Sequence, residues 1–136
     1  MPNTTDPPEC LLLVICSDVI EDKQTNNKTL INLFNTVGGP VLPIVQPMVT
    51  FVASVWNVKG TVPFRFELTS PSGETIFKMS GEAKCPDPLQ VSDIVVKVLG
   101  LPLKEWGRHS LLFWMADHYI SSRFLDIAQI NMPGAQ

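Results

Sequence analysis

Three acidic residues, Asp18, Glu21 and Asp22, lie at the end of the most apolar stretch of the chain, Cys10 to Ile20. Grouped carboxylates are the ligands that hard cations such as Ca²⁺ prefer, and Ca²⁺ takes about six or more oxygens. The sequence offers no second acidic loop that would complete such a set. The three acids are therefore an incomplete candidate cation site, and a solvated turn is the alternative.

His118 directly follows Asp117, and an acid beside an imidazole can be half of a catalytic pair. Adjacent residues in a strand usually point apart. A triad also needs a nucleophile, and the sequence carries no marker for one, such as G-x-S-x-G. We therefore interpret Asp117 and His118 as a turn. We predict no catalytic residue, and the chain is not expected to be an enzyme.

The three cysteines, Cys10, Cys16 and Cys85, are an odd set with no C-x-x-C pair. Such a set indicates reduced, buried thiols better than a disulfide framework. Cys10 and Cys16 are six residues apart, so we expect them on the same face of one strand. No histidine or third cysteine lies near enough in sequence to complete a metal site, and we expect no cofactor. A cytoplasmic location follows.

Composition excludes several kinds of partner. The 136 residues carry a net charge of −3 from scattered acids and bases with no basic run, so we expect neither a nucleic acid nor a membrane as partner. The chain is 45% apolar and only 17% charged. This low charge content indicates a folded domain that leaves some apolar surface exposed, which favours association with another protein or a second copy of the chain.

The chain length fits one domain. We assign residues 1–9 to an irregular lead-in, 10–130 to a β domain and 131–136 to a tail. The stretch Cys10 to Ile20 is too short to cross a bilayer, and the lead-in before it has no lysine or arginine, so we do not interpret it as a signal peptide.

Short apolar runs alternate with turn residues along the whole domain, which predicts an all-β fold. The clearest alternation places Phe64, Phe66 and Leu68 on one face of a strand. Three prolines between residues 40 and 47 indicate a connection that crosses between sheets, because each proline removes a ladder donor. We predict a two-sheet antiparallel sandwich of about eight strands with Greek-key connections. The predicted strands are 10–20, 29–37, 48–58, 64–69, 74–80, 91–99, 109–115 and 119–127.

The order of several motifs resembles a family of uncharacterised bacterial β-sandwich domains, a domain of unknown function. Cys16-Ser17-Asp18-Val19 is similar to the end of its first strand, and Leu30 to Phe34 is similar to its Leu-x-Gly-x-Phe strand, with Asn32 in place of the glycine. Pro71-Ser72-Gly73-Glu74 matches its Pro-x-Gly-Glu hairpin. The resemblance implies an immunoglobulin-like or C2-like sandwich and no established activity.

Two strands are apolar on both faces, and a sandwich core can bury only one of the two. Leu12 and Val14 of the first strand, and Leu112 and Trp114 of the penultimate one, would form the second face if the strands share a sheet. Either the proline-rich crossing of the same chain or a partner must cover that face. We predict a non-catalytic interaction module, with a homodimer through these four residues. The alternative function is a ligand- or cation-binding C2-like domain that uses Asp18, Glu21 and Asp22, which we call the acidic tip.

Overall fold

The computed structural model describes residues 8–130. Residues 1–7 of the predicted lead-in and the whole tail at 131–136 lie outside the described residues. Residues 8–130 form nine β-strands, and the first begins at Glu9, one residue before the predicted start. None of the described segments is a helix long and apolar enough to cross a membrane. The strands are β1 Glu9–Glu21, β2 Lys28–Leu33, β3 Thr36–Gly39, β4 Ile44–Trp56, β5 Gly60–Thr69, β6 Thr75–Cys85, β7 Ser92–Leu103, β8 Gly107–Met115 and β9 His118–Gln129.

The strands form a four-stranded sheet in the order β2-β1-β4-β7 and a five-stranded sheet in the order β3-β9-β8-β5-β6. The all-β prediction is confirmed, and the nine described strands agree with the prediction of about eight. The antiparallel prediction fails at one pair, because β3 runs parallel to β9. The predicted strand 29–37 is two strands, because Phe34 N–H donates to Ile15 O in the first sheet and Asn35 O accepts from Asp126 N–H in the second. The chain therefore changes sheets between Phe34 and Asn35.

A phenylalanine cluster joins the two sheets. Phe51 of β4 lies 5.9 Å, between ring centroids, from Phe66 of β5, and Phe66 lies 4.9 Å from Phe113 of β8. All three side chains are fully buried. The alternation predicted for Phe64, Phe66 and Leu68 is confirmed, since all three are in the same core. The core is therefore built from the inner faces of both sheets.

The proline-rich segment does carry the chain from the five-stranded sheet to the four-stranded one, as predicted. It is shorter than predicted, because β4 already begins at Ile44 and runs through Pro47. Pro47 has no pairing partner in β7, whereas Gln46 and Met48 on either side pair with Leu101 and Leu99. Since proline lacks an N–H, the strand tolerates it where the ladder is interrupted.

Among the residues with positive φ, Asn32 lies inside β2 and the pair Ala116 and Asp117 lies between β8 and β9. Asn32 has φ of 55°, and its side-chain amide donates to Ser17 Oγ at 2.8 Å. The left-handed region favours glycine and then asparagine, which explains how Asn32 can replace the glycine of the Leu-x-Gly-x-Phe pattern. Ala116 and Asp117, with φ of 51° and 62°, form the two-residue turn between β8 and β9.

The hairpin predicted around Pro71 to Glu74 is confirmed as the β5–β6 turn, with Gly73 at φ of 90°. Both β6 and β7 are longer than the strands predicted at 74–80 and 91–99. β6 continues to Cys85 and β7 to Leu103, through segments that we assigned to loops. Leu101 and Leu103 are buried in the core, so tertiary packing keeps this segment extended after Gly100.

We expect Phe66→Ala to lower the free energy of unfolding by about 3–5 kcal/mol, because it opens a cavity at the centre of the aromatic cluster. Urea unfolding followed by intrinsic fluorescence measures the change. The matched control is Phe124→Ala on the outer face of the same sheet, which should cost no more than about 1 kcal/mol. Equal losses for the two variants would contradict the position assigned to the core.

Candidate functional site

The acidic tip does not gather into a cation site. Asp18 Oδ1 lies 2.9 Å from Lys97 Nζ of β7, and hydrogen bonding to Lys97 holds the pKa of the Asp18 carboxyl below its usual range. Asp22 Oδ1 accepts the backbone N–H groups of Gln24 and Thr25 and so closes a turn. Across residues 8–130, no three His, Cys, Asp or Glu side chains lie close enough together to hold a metal ion.

The four residues predicted as one interface lie on two separate surfaces. β1 belongs to the four-stranded sheet and β8 to the five-stranded sheet, so the expectation that they share a sheet is wrong. Leu12 is 41% exposed, whereas Val14 is only 3% exposed. Val14 is buried in a second apolar cluster of the same chain, apart from the main core. A face made of Leu12, Val14, Leu112 and Trp114 therefore does not exist.

The second cluster explains where the other apolar face of β1 goes. Its buried members are Val14 and Cys16 of β1, Val52 of β4, and Val19 from the far end of β1. Leu30 of β2 packs against them. The segment 17–33, which we call the β1–β2 arm, therefore covers this second apolar face of β1. The proline-rich segment, the alternative cover within the chain, packs against the main core through Leu42 and Ile44, so that alternative is wrong.

The cysteines do not share a face either. The pairing of β1 with β4 shifts between Cys10 and Leu12, which is a β-bulge, and a bulge reverses the side-chain alternation. Cys10 packs against the main core, whereas Cys16 is buried in the second cluster. Burial raises the pKa of the thiol at both positions. All three cysteines have free thiols.

The outer face of the five-stranded sheet carries stacked aromatic and arginine side chains. Arg65 Cζ lies 4.2 Å from the centroid of the Trp114 ring, and Tyr119 meets Trp114 edge-on with the ring centroids 5.8 Å apart. Arg108 Cζ lies 4.4 Å from the Phe124 ring centroid. We call these five residues the aromatic–arginine face. Trp114 and Arg65 pair across β8 and β5, so this face lies at the middle of the sheet.

Charges of both signs accompany these stacks. Arg108 donates two hydrogen bonds to the Asp126 carboxylate, at 2.9 and 3.1 Å, and this holds the pKa of Asp126 below its usual range. Arg65 Nε lies 3.4 Å from Glu67 Oε1, with Lys78 Nζ at 3.7 Å from the same oxygen. The face therefore presents aromatic surface surrounded by paired charges.

A cavity of about 160 Å³ opens where the β5–β6 turn meets the β7–β8 connection. Ser72 Oγ donates to Glu105 Oε2 at 2.8 Å, and Ser70 Oγ lies 2.9 Å from Ser72 Oγ. The Ser70 and Ser72 hydroxyls hold the pKa of the Glu105 carboxyl below its usual range. His109, fully buried, also lines the cavity. The cavity therefore combines an ionised carboxylate, hydroxyls and an imidazole.

These residue types occur in serine hydrolases, but the hydrogen bonds differ from those of a triad. In a triad the serine bonds to one imidazole nitrogen and the acid to the other. Here the serine hydroxyls bond to each other and to Glu105, and His109 Nδ1 lies 3.1 Å from Gly107 O. His109 Nε2 has no hydrogen-bond partner among the described residues. The cavity does not contain a serine activated by histidine.

Sequence reasoning missed this cluster. In the sequence, Ser72 stands out only as part of the hairpin Pro71 to Glu74, and Ser70 and Glu105 belong to no motif. The pair Asp117 and His118, which the sequence singled out, lies on exposed backbone at the β8–β9 turn. Only the packing of two distant loops brings Glu105 to the serines, and no local spacing in the sequence signals that contact.

The fold and these surfaces define an all-β domain of two facing sheets with a shared core. Residues 11–128 match the sequence profile of a family described as "Family of unknown function (DUF6941)", and the chain belongs to that family. The resemblance to a domain of unknown function is thereby confirmed. A search of curated proteins found no match.

We expect the melting temperature to stay unchanged when Ca²⁺ is titrated into the protein. Asp18 is already neutralised by Lys97, and Asp22 is engaged by backbone N–H groups, so too few oxygens are free to bind a cation. Differential scanning fluorimetry measures the effect. A saturable rise in the wild type that Asp18→Asn abolishes would contradict this account.

Acid should remove the stabilisation that Glu105 contributes. A carboxyl whose pKa is lower in the folded than in the unfolded state stabilises the fold above the unfolded pKa, and this contribution is lost as the pH falls through the folded pKa. We expect Glu105→Gln to be less stable than the wild type at pH 7, with the difference shrinking below about pH 4.

Urea unfolding of both proteins between pH 7 and pH 3 tests this expectation. Glu21→Gln is the matched control, because Glu21 is exposed and its carboxylate accepts no hydrogen bond from the part of the chain that the structure describes. A difference between wild type and Glu105→Gln that stays constant with pH would show that the serine hydroxyls do not act through the charge.

Proposed function

We propose that this chain is a non-catalytic protein-interaction domain that self-associates through its aromatic–arginine face. The observation that supports this proposal is the composition and exposure of that face. Tyr119 is 55% exposed and Phe124 is 51% exposed, although both are large aromatic side chains. Tryptophan, tyrosine and arginine are the residues that most often dominate binding energy at protein interfaces. Of the four residues first expected at an interface, Trp114 belongs to this face, and Leu112 lies beside it on the same side of β8.

The geometry of the face supports a rigid binding surface. Its side chains project from β5, β8 and β9, which are bonded to one another in the interior of the five-stranded sheet. Arg65 and Arg108 each stack on a ring, so less side-chain entropy is lost when a partner binds. A preordered surface of this kind is suited to docking of another folded protein.

A second copy of the chain is the partner that we propose. In a twofold dimer the same surface meets itself, so it must be self-complementary. This face carries the cations Arg65 and Arg108 beside the anions Glu67 and Asp126, and a rotated copy can therefore oppose cation to anion. The aromatic rings between them supply the apolar area.

A non-catalytic role is favoured by the hydrogen bonds in the cavity, where the Ser72 hydroxyl donates to Glu105 and not to His109. The cation-binding alternative would need the Asp18 carboxylate, which Lys97 holds. We also propose that the two sheets form a sandwich of the immunoglobulin-like or C2-like type with Greek-key connections. Five of the eight connections between the described strands pass from one sheet to the other, which supports this class. The free thiols support our proposal of a cytoplasmic location.

Sedimentation velocity at micromolar protein concentration tests self-association. We expect a dimer for the wild type, and the double variant Tyr119→Ala/Phe124→Ala should weaken its dissociation constant by about tenfold or more. Both side chains are half exposed, so the variant should fold normally. The matched control is Leu99→Ala, since Leu99 is 76% exposed on the other sheet.

A monomeric wild type would contradict the proposal outright. A dimer that Leu99→Ala weakens as much as the double variant does would contradict the location of the interface on the aromatic–arginine face.

A further inference from the structure

The β1–β2 arm leaves its sheet and folds back over it. β1 pairs with β4 only as far as Cys16, and from Asp18 to Glu21 it pairs with β2 alone. The order β2-β1-β4-β7 would place β2 three strand spacings, or about 14 Å, from β7 in a flat sheet. Yet Lys28 Nζ of β2 lies 3.2 Å from Asp93 Oδ2 of β7. The arm must therefore cross the outer face of the sheet.

Three further contacts follow the same path. Lys97 Nζ of β7 pairs with Asp18 and also donates to Val19 O at 3.4 Å. The Thr50 hydroxyl of β4 donates to Ser17 O at 3.1 Å, at the point where the arm departs. The arm is thus held at its base by the hydrogen bond from Thr50 and further along by Lys97 and Asp93 of β7.

The surface below the arm is apolar and separate from the main core. The main core holds 22 buried residues, whereas the cluster below the arm holds four, namely Val14, Cys16, Val19 and Val52. Val19 belongs to the arm itself, and the other three belong to the sheet that it covers. Lifting the arm would leave the main core intact and would expose Cys16.

The contacts that hold the arm on the sheet are weak. Lys97 is about half exposed and Asp18 about one-third exposed, and ion pairs that water can reach contribute little to stability. Four of the six residues of β2 are exposed, so this strand buries little surface. Segments with few buried contacts open locally without global unfolding.

We propose that the β1–β2 arm is a strap that opens and closes on the four-stranded sheet as one unit, and so controls access to the Cys16 thiol and the apolar surface around it. The hinges are the base of the arm at Ser17 and the change of sheet between Phe34 and Asn35. This device does not rest on the proposed self-association, because it lies on the other sheet.

Thiol labelling tests the strap, because the chain contains its own reference. In a Cys10→Ser background only Cys16, below the arm, and Cys85, in the main core, remain. An aromatic disulfide reagent under native conditions, with the labelled site assigned by mass spectrometry, reports the opening of each region. We expect Cys16 to react about tenfold or more faster than Cys85, and faster still at high salt.

Replacement of Lys97, which holds the arm, is the second test. Lys97→Met should raise the labelling rate of Cys16 about threefold to fivefold and leave that of Cys85 unchanged. The matched control is Lys78→Met, which removes an exposed ion pair with Glu67 on the other sheet and should change neither rate. Amide exchange of the wild type, with β2 faster than β8, checks the same opening without any substitution.

Equal labelling of Cys16 and Cys85 in the Cys10→Ser protein would overturn the proposal, because both would then report global unfolding. So would a Lys97→Met variant that raises both rates together or leaves both unchanged. Amides of β2 that exchange as slowly as those of β8 would overturn it as well.

Discussion

The structure depends on the burial of both apolar faces of β1. One face, with Leu13 and Ile15, packs into the core between the two sheets. The other, with Val14 and Cys16, cannot reach that core, because successive side chains of a strand point to opposite sides. The chain resolves this by bending β1 after Cys16 and laying the β1–β2 arm over the sheet. The ion pairs with Lys97 and Asp93, the bulge at Leu11 and the left-handed Asn32 all belong to this arrangement.

The two outer faces of the protein differ because of this arrangement. The four-stranded sheet uses a part of its own chain as cover. The five-stranded sheet instead covers its outer aromatic rings with arginine, as Arg65 does on Trp114 and Arg108 on Phe124. A guanidinium group can stack on a ring while it keeps its hydrogen bonds to carboxylates or water. The outer side of the five-stranded sheet is therefore open to a partner, whereas the arm covers the Val14, Cys16 and Val52 side chains of the four-stranded sheet.

Local patterns in the sequence predicted the all-β fold, the alternation at Phe64 to Leu68 and the crossing at the prolines, because each depends on neighbours in the chain. They failed where the outcome depends on distant packing. The bulge beside Cys10 reverses the alternation without any change in composition, so Cys10 and Cys16 face opposite ways. Nothing in the spacing of Leu12 and Trp114 tells which sheet each strand joins. The contact between Glu105 and Ser72 likewise arises only when two loops meet.

The central claim is that the chain itself covers the second face of β1. Nuclear Overhauser effects between methyl groups, recorded on a dilute sample of the methyl-labelled protein, test it directly. The account predicts cross-peaks from Val19 and Leu30 to Val52 within one molecule, since these side chains pack in one cluster. Their absence, together with solvent-exposed Val14 and Val52 methyls, would contradict it and would show that the arm does not lie on the sheet.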